Sequence, residues 1–183
     1  RAWYVHRTVR QILEERLVPS GSRPIHVLDA GSGFGQYTYW LLENHPEIEV
    51  TAIDVKTDYL ETCRSFFERI GLSDRVEWVE ADLTEPTDYP FDSVDRFDVI
   101  LSVDVMEHIR EDREALRNMA RVLRPGGYLV INTPSDEGGS GVTEDGQESF
   151  IGEHAREGYA VDDLEEKIRS AGLEPVETIY AYG

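Results

Sequence analysis

Three aspartates, Asp29, Asp54 and Asp82, each close a short apolar run, in "VLDAGSGFG", "AIDV" and "EADL". The first is followed by glycines on alternate positions, Gly31, Gly33 and Gly35. Bare backbone ahead of a helix ordinarily cradles a phosphate. A carboxylate two residues before the first glycine repels a pyrophosphate and attracts an ammonium group instead. The spacing also departs from the G-x-G-x-x-G dinucleotide fingerprint, because Gln36 holds the third glycine's place, and no Gly-Lys-Ser/Thr triphosphate loop is present. Asp54 lies about 20 residues beyond the loop, where an acid accepts hydrogen bonds from ribose hydroxyls. Asp82 offers a further acceptor, suited to the exocyclic amine of adenine. The pattern asks for an adenine, a ribose, a cationic amine and no phosphate. S-adenosyl-L-methionine meets all four conditions. The plainer alternative is a tight strand-to-helix turn with acids at ordinary strand ends.

The elements that position these residues alternate. Val5, Val9, Ile12, Leu13 and Leu17 repeat at helical spacing over 1–18. Strands are expected at Ile25–Ala30, Glu49–Asp54, Val76–Val79, Phe97–Val103, Tyr128–Thr133 and Val176–Tyr180. Helices are expected at Gly35–His45, Thr57–Ile70, Ile109–Leu123 and Val161–Ala171. In the second of these, Tyr59, Leu60, Cys63, Phe66, Phe67 and Ile70 form the stripe expected to be buried. "RPGG" ends the third, since proline cannot continue a helix and glycine accepts a left-handed turn. Pro134–Gly158 is polar and glycine-rich, too long for an ordinary connection, and reads as a loop, lid or insertion. Such alternation builds an α/β fold of the Rossmann-like, doubly wound kind, a mostly parallel sheet with helices on both faces. The chain length suits one domain over 1–183, with 25–134 as the ligand-binding core and 159–183 as a closing helix and strand. Ligands on such sheets bind beyond the carboxyl ends of the strands, where the three acids stand.

The ordered set "VLDAGSGFG", "AIDV", "EADL", "FDVILSVDVMEHI" and "LRPGGYLVINTP" resembles the successive motifs of class I S-adenosylmethionine-dependent methyltransferases. It is similar in particular to small-molecule methyltransferases of the ubiquinone/menaquinone-biosynthesis type, across about residues 25–134. The resemblance implies that Asp29, Gly31, Ser32, Gly33 and Gly35 line the methionine end of the cofactor. Asp54 would hold the ribose, Val55 would flank the adenine, and Asp82 with Leu83 would close its far side. Ser102, with Val103 beside it, would lie near the reacting methyl. The resemblance also implies a sixth and seventh strand as an antiparallel hairpin, whereas this chain stops at "IYAYG". A native protein that continues, or an unusual sheet edge, accounts for the difference.

Methyl transfer from a sulfonium needs a base only if the acceptor must lose a proton. His108, in "VMEHI" just after the fourth strand, is the candidate; its alternative is a helix N-terminal histidine satisfied by backbone. His154 and Tyr159, in or beside the long loop, are candidates for substrate contact, or else belong to a solvated loop. Glu107 reads equally as a first-turn acid favoured by the helix dipole. Arg7, near Trp3 on the first helix, is a candidate for the cofactor carboxylate, since in many relatives such a segment folds over the cofactor. Core packing for Trp3 and solvent for Arg7 are the separate alternatives. No Cys/His spacing suggests a metal site, and Cys63 on an apolar stripe reads as core.

The formal charge is -19, and of the 18 basic residues only Lys56 and Lys167 are lysines. No basic face for nucleic acid is visible, and strand four ends "SVDV" rather than in the Asn/Asp-Pro-Pro-aromatic tetrapeptide of amino-directed nucleic-acid enzymes. No apolar run is long enough to span a membrane. A lone cysteine fits a reducing compartment, so a cytoplasmic protein with a small-molecule methyl acceptor is expected. Two other functions remain open: a non-catalytic adenosyl-ligand-binding protein and a nicotinamide-dependent oxidoreductase. The acid excess reads either as a solubilising surface or as adaptation to salt. On the second reading, raising salt from about 0.1 M towards 1 M, which shortens the Debye length from about 10 Å to about 3 Å, raises the melting temperature by screening self-repulsion. A flat or falling melting curve in scanning calorimetry leaves solubility as the role of the charge.

Overall fold

The computed structural model describes residues 2–16, 23–136, 155–156 and 158–180. Five strands, β1 (Ile25–Ala30), β2 (Ile48–Asp54), β3 (Val76–Glu80), β4 (Phe97–Val103) and β5 (Leu123–Asn132), form one sheet in the order β3-β2-β1-β4-β5. Every pairing is parallel, so each connection must cross a face of the sheet. Helices α1 (Ala2–Gln11), α2 (Gln36–Asn44) and α3 (Thr57–Arg69) cover one face. On it Val27, Val50, Ala52, Val99 and Leu101 meet Val5, Val9, Leu41, Leu60, Cys63 and Phe67. The alternate strand residues Leu28, Ala30, Ile53 and Ile100 meet Leu116, Met119 and Val122 of α4 (Asp112–Val122), with Leu164 and Ile168 of α5 (Val161–Ser170) packed on them. Burial on both faces makes the central strands β1 and β4 read as nearly continuous apolar runs. The expected α/β architecture is therefore the one adopted. Its strand order reverses between β1 and β4, which opens a crevice at their carboxyl ends.

Several local expectations differ. The first helix ends at Gln11 and passes into a wider π turn over Ile12–Arg16; Leu17 lies outside the described residues. On α3 only Leu60, Cys63 and Phe67 of the expected stripe are buried, while Phe66 and Ile70 are exposed. "VMEHI" does not begin a helix. Met106–His108 is a separate 3-10 turn, broken from α4 by the extended Ile109. "RPGG" does not intervene between helix and strand either, because β5 starts at Leu123 directly after α4. The register jumps from Phe97↔Leu123 to Val99↔Tyr128, so these residues form a bulge within the strand. Gly127 permits it, since a Cβ there would lie 2.8 Å from the carbonyl oxygen of Asp98.

The expected sixth strand is not formed. Residues 173–180 join no strand of the sheet among the described residues, and Val176, Ile179 and Tyr180 are 63%, 52% and 42% exposed. A β-rich run becomes a strand only where an edge and a packing surface receive it. The expected loop or lid at 134–158 falls mostly on residues outside those described. Its described ends are tied together by Tyr159 N–H to Pro134 O at 2.9 Å and Asp136 N–H to Tyr159 O at 3.2 Å.

At the opposite, amino edge of the sheet, Asp98 is buried at the start of β4. It accepts from Arg23 at 2.6 and 2.9 Å, from Arg124 at 2.8 Å and from the backbone N–H of His26 at 2.9 Å. Burial alone would raise this carboxyl, but those donors outweigh it and hold it down at about 2. Such a depressed group contributes stability above the unfolded value near 3.9, and the contribution is lost as pH falls towards 2. Asp98→Asn is expected to cost about 1.5–3 kcal/mol at pH 7, the range for hydrogen bonds to charged groups, and to flatten the acid limb of the stability curve. Urea melts of both proteins at pH 3 and 7 test this; equal losses at both pH values count against it.

Candidate functional site

The glycine loop joins β1 to α2 at the carboxyl edge. Gly31, Gly33 and Gly35 all have positive φ, at 84°, 52° and 70°, a conformation that favours glycine. The N–H groups of Gly31 and Ser32 both donate to Ile53 O, at 2.9 and 2.8 Å, which ties the loop to the end of β2. The three glycines then serve different needs. A Cβ on Gly31 would meet Val105 at 2.4 Å, and one on Gly35 would meet Trp78 at 2.7 Å, so both positions admit close packing. A Cβ on Gly33 would meet nothing within 4 Å. Of the three, only Gly33 has open space beside its Cα among the described residues.

The acids differ as much. Asp29 is buried at the end of β1, its Oδ2 accepting from the Thr38 hydroxyl at 2.6 Å. Burial, with the negative Asp54 nearby, outweighs the Thr38 hydrogen bonds and pushes the carboxyl up to about 6. Asp54 organises backbone: its Oδ2 accepts from Gly33 N–H at 2.8 Å and its Oδ1 from Lys56 N–H at 2.9 Å. Next to it Val55 is 58% exposed. Asp82 folds its own turn, Oδ1 accepting from Thr84 N–H and Thr84 Oγ1, both at 2.8 Å. Leu83 is buried beside it.

At the end of β4, Ser102 is fully buried and Val103 pairs with Asn132. The hydroxyls of Ser102 and of Ser32 are buried without a hydrogen-bond partner among the described residues. His108 is exposed on its 3-10 turn, while its neighbour Glu107 is buried and accepts from Thr133 Oγ1 at 3.1 Å. Glu107 as a first-turn acid of a helix does not hold, because its turn is a separate 3-10 turn that buries both Met106 and Glu107. Arg7 is exposed with its guanidinium 5.4 Å above the Trp3 ring, and Trp3 is itself 62% exposed rather than in the core. His154 lies outside the described residues.

Tyr159 corrects the expectation of a loop residue facing substrate. It is buried, and its hydroxyl is engaged by Asp112 Oδ2 at 2.9 Å and Met106 O at 3.1 Å. Arg156 and Lys167 reach the same carboxylate, the latter at 2.9 Å, and both cations lie over the Tyr159 ring. Burial first, then the hydrogen bond to Asp112, pushes the phenol far above its ordinary value. This side chain anchors α5 and the end of the 134–158 segment to α4. Thr38, the partner of Asp29, was also missed, for it reads as an ordinary helix residue until α2 is packed on β1.

Residues 28–131 match the family described as "Methyltransferase domain". Methyltransferase GfsG of Streptomyces halstedii is 35% identical over 68% of this chain and 42% of its own. The ubiquinone/menaquinone biosynthesis C-methyltransferase UbiE of Paracoccus denitrificans is 30% identical over 69% of this chain and 48% of its own. The chain thus spans less than half the length of either relative. Among solved structures, Haemonchus contortus phosphoethanolamine N-methyltransferase 2, in complex with S-adenosyl-L-methionine, superposes with a TM-score of 0.69 at 20% identity, over 91% of this chain and 36% of its own.

Proposed function

Since the chain belongs to the methyltransferase domain family, we propose that it transfers a methyl group from S-adenosyl-L-methionine to a small-molecule acceptor, releasing S-adenosyl-L-homocysteine. One observation carries the reading. The crevice between β1 and β4 combines the open Cα face of Gly33, two buried hydroxyls with no partner among the described residues, and a buried carboxyl held up at about 6. Buried polar groups in folded proteins are ordinarily satisfied, and a carboxyl held up by burial is relieved by a cation. A ligand with an ammonium group and hydroxyls, and without phosphate, fits that donor and acceptor set.

Asp29 and Thr38, with Gly31, Ser32, Gly33 and Gly35, would hold the methionine end. Asp54 would orient the ribose while keeping the loop closed, Val55 would cover one purine face, and Asp82 with Leu83 would meet the purine edge. Ser102 and Val103 would border the reacting methyl. The bound cofactor supplies an activated methyl on a sulfonium, so the protein's main task is to hold an acceptor in line with it. His108 is exposed next to this edge and would take a proton from an acceptor that must lose one; His154 would join it from the 134–158 segment, and Arg7 would pair with the cofactor carboxylate. The excess of acid disfavours nucleic acid as the acceptor. No described helix is long and apolar enough to cross a membrane, and a cytoplasmic place of action goes with the proposal.

Calorimetric titration with S-adenosylmethionine, S-adenosylhomocysteine and NAD tests the reading. Binding of the two adenosyl ligands without NAD is the expected result. Binding of NAD alone overturns it in favour of hydride transfer. Adenosyl binding with no labelled methyl passed to any member of a metabolite panel favours a non-catalytic binding protein.

A further inference from the structure

Asn118 is a polar side chain in the wrong company. It is 4% exposed on the buried face of α4, among Ala115, Leu116, Met119 and Val122. An amide in such a place is costly unless bonded. Its Nδ2 donates to Leu83 O at 2.9 Å, across to the loop that follows β3. One turn further along α4, Arg121 donates to Pro86 O at 2.5 Å and also to Phe91 O in the same loop. The loop also has bonds of its own, from Thr84 to Asp82, from Asp82 N–H to Asp88 Oδ2 at 3.3 Å, from Glu85 N–H to Asp82 O at 3.1 Å and from Phe91 N–H to Asp88 O at 2.6 Å, none of which reaches Leu83 O. A leucine at 118 would serve packing equally well but would leave Leu83 O buried without a donor.

We infer that Asn118 is a positioning residue, which through Leu83 fixes the orientation of Asp82 and so sets how the site discriminates the edge of the purine. The inference rests on the proposed adenosyl-ligand function, with Asp82 and Leu83 at that edge. The peptide between Leu83 and Thr84 has its carbonyl pinned by α4 and its N–H pinned by Asp82. Releasing the carbonyl frees the peptide to rotate and carries the Asp82 carboxylate with it. The methionine end, held by the glycine loop on the other side of β2, does not depend on this contact.

The test compares S-adenosylhomocysteine with S-inosylhomocysteine, which carries an oxo group in place of the 6-amino group. A carboxylate set against that position prefers the amine, because a site built for a hydrogen bond rejects an analogue that leaves it unpaired. Asn118→Leu is expected to lower the ratio of the two affinities on the order of tenfold, the scale of one hydrogen bond to a charged group. Asn118→His, which keeps an N–H donor at similar reach, should hold the ratio near that of wild type. Should Asn118→Leu fail to fold, Asn118→Ala removes the donor without adding volume and is scored in the same way. A purely structural prop would weaken both ligands equally, and an unchanged ratio in a folded donor-free variant overturns the inference. A ratio near one in wild type, with tight S-adenosylhomocysteine binding, overturns it too while leaving the proposed function standing. Failure of wild type to bind either ligand sinks both.

Discussion

Gly33→Val is expected to reduce affinity for S-adenosylhomocysteine at least hundredfold, about 2.8 kcal/mol, in a protein that still folds. Two effects add. Gly33 sits at φ 52°, where a β-branched residue is strained by about 1–3 kcal/mol, and its side chain would project into the space the ligand must enter. Among the described residues beyond its chain neighbours, no atom lies within 4 Å of the added Cβ, so the fold has room for the side chain. Gly71 separates the two effects. It has φ 75° and is equally open, but follows α3 far along the chain from the loop. Gly71→Val should lower the melting temperature by a similar amount and leave binding intact. Calorimetric titration of both variants decides it. Retained affinity in folded Gly33→Val places the ligand elsewhere.

Ligand affinity is also expected to rise with pH through the titration of Asp29. Its carboxyl is raised from 3.8 to about 6 by burial and by Asp54, against the hydrogen bonds from Thr38. That rise corresponds to about 3 kcal/mol of strain in the ionised form. For a raised carboxyl the stability contribution is complete below about 3.9 and is lost as pH climbs through about 6. The ligand-free protein should therefore lose stability across that window because of this group. Asp29→Asn, which keeps an acceptor for Thr38, should remove the loss and melt higher than wild type at pH 7.5. The ammonium of the ligand favours the ionised form, so wild-type affinity should increase by up to about tenfold between pH 5 and 7.5, with proton release below pH 6. Titrations in buffers of different ionisation enthalpy read that proton directly. In Asp29→Asn the affinity should be lower at pH 7.5 and nearly independent of pH. Parallel pH profiles for the two proteins would remove Asp29 from the ligand's cation.

Much of this molecule is legible in the order of its residues. Continuous apolar runs at β1 and β4, amphipathic helices between strands and a glycine loop after the first strand are local signals. They require a parallel sheet because only crossover helices can bury both faces. The acids at 29, 54 and 82 were legible for the same reason, since the end of a strand in such a sheet is the edge of its crevice. What those acids do was not legible. Asp29 gains its raised carboxyl only when folding buries it, against the hydrogen bonds from Thr38 of α2, and Asp54 proves to hold the loop's backbone. Tyr159 changes from a loop residue to a buried anchor because Asp112, Arg156 and Lys167, far apart in sequence, converge on it. Val176–Tyr180 has strand-forming residues and no strand, while Asn118 looks like a surface residue and is core. Periodicity and turn chemistry act over a few residues, so the chain carries them openly. Burial, charge and hydrogen-bond partners depend on which distant segments meet, and for these residues folding alone settled that.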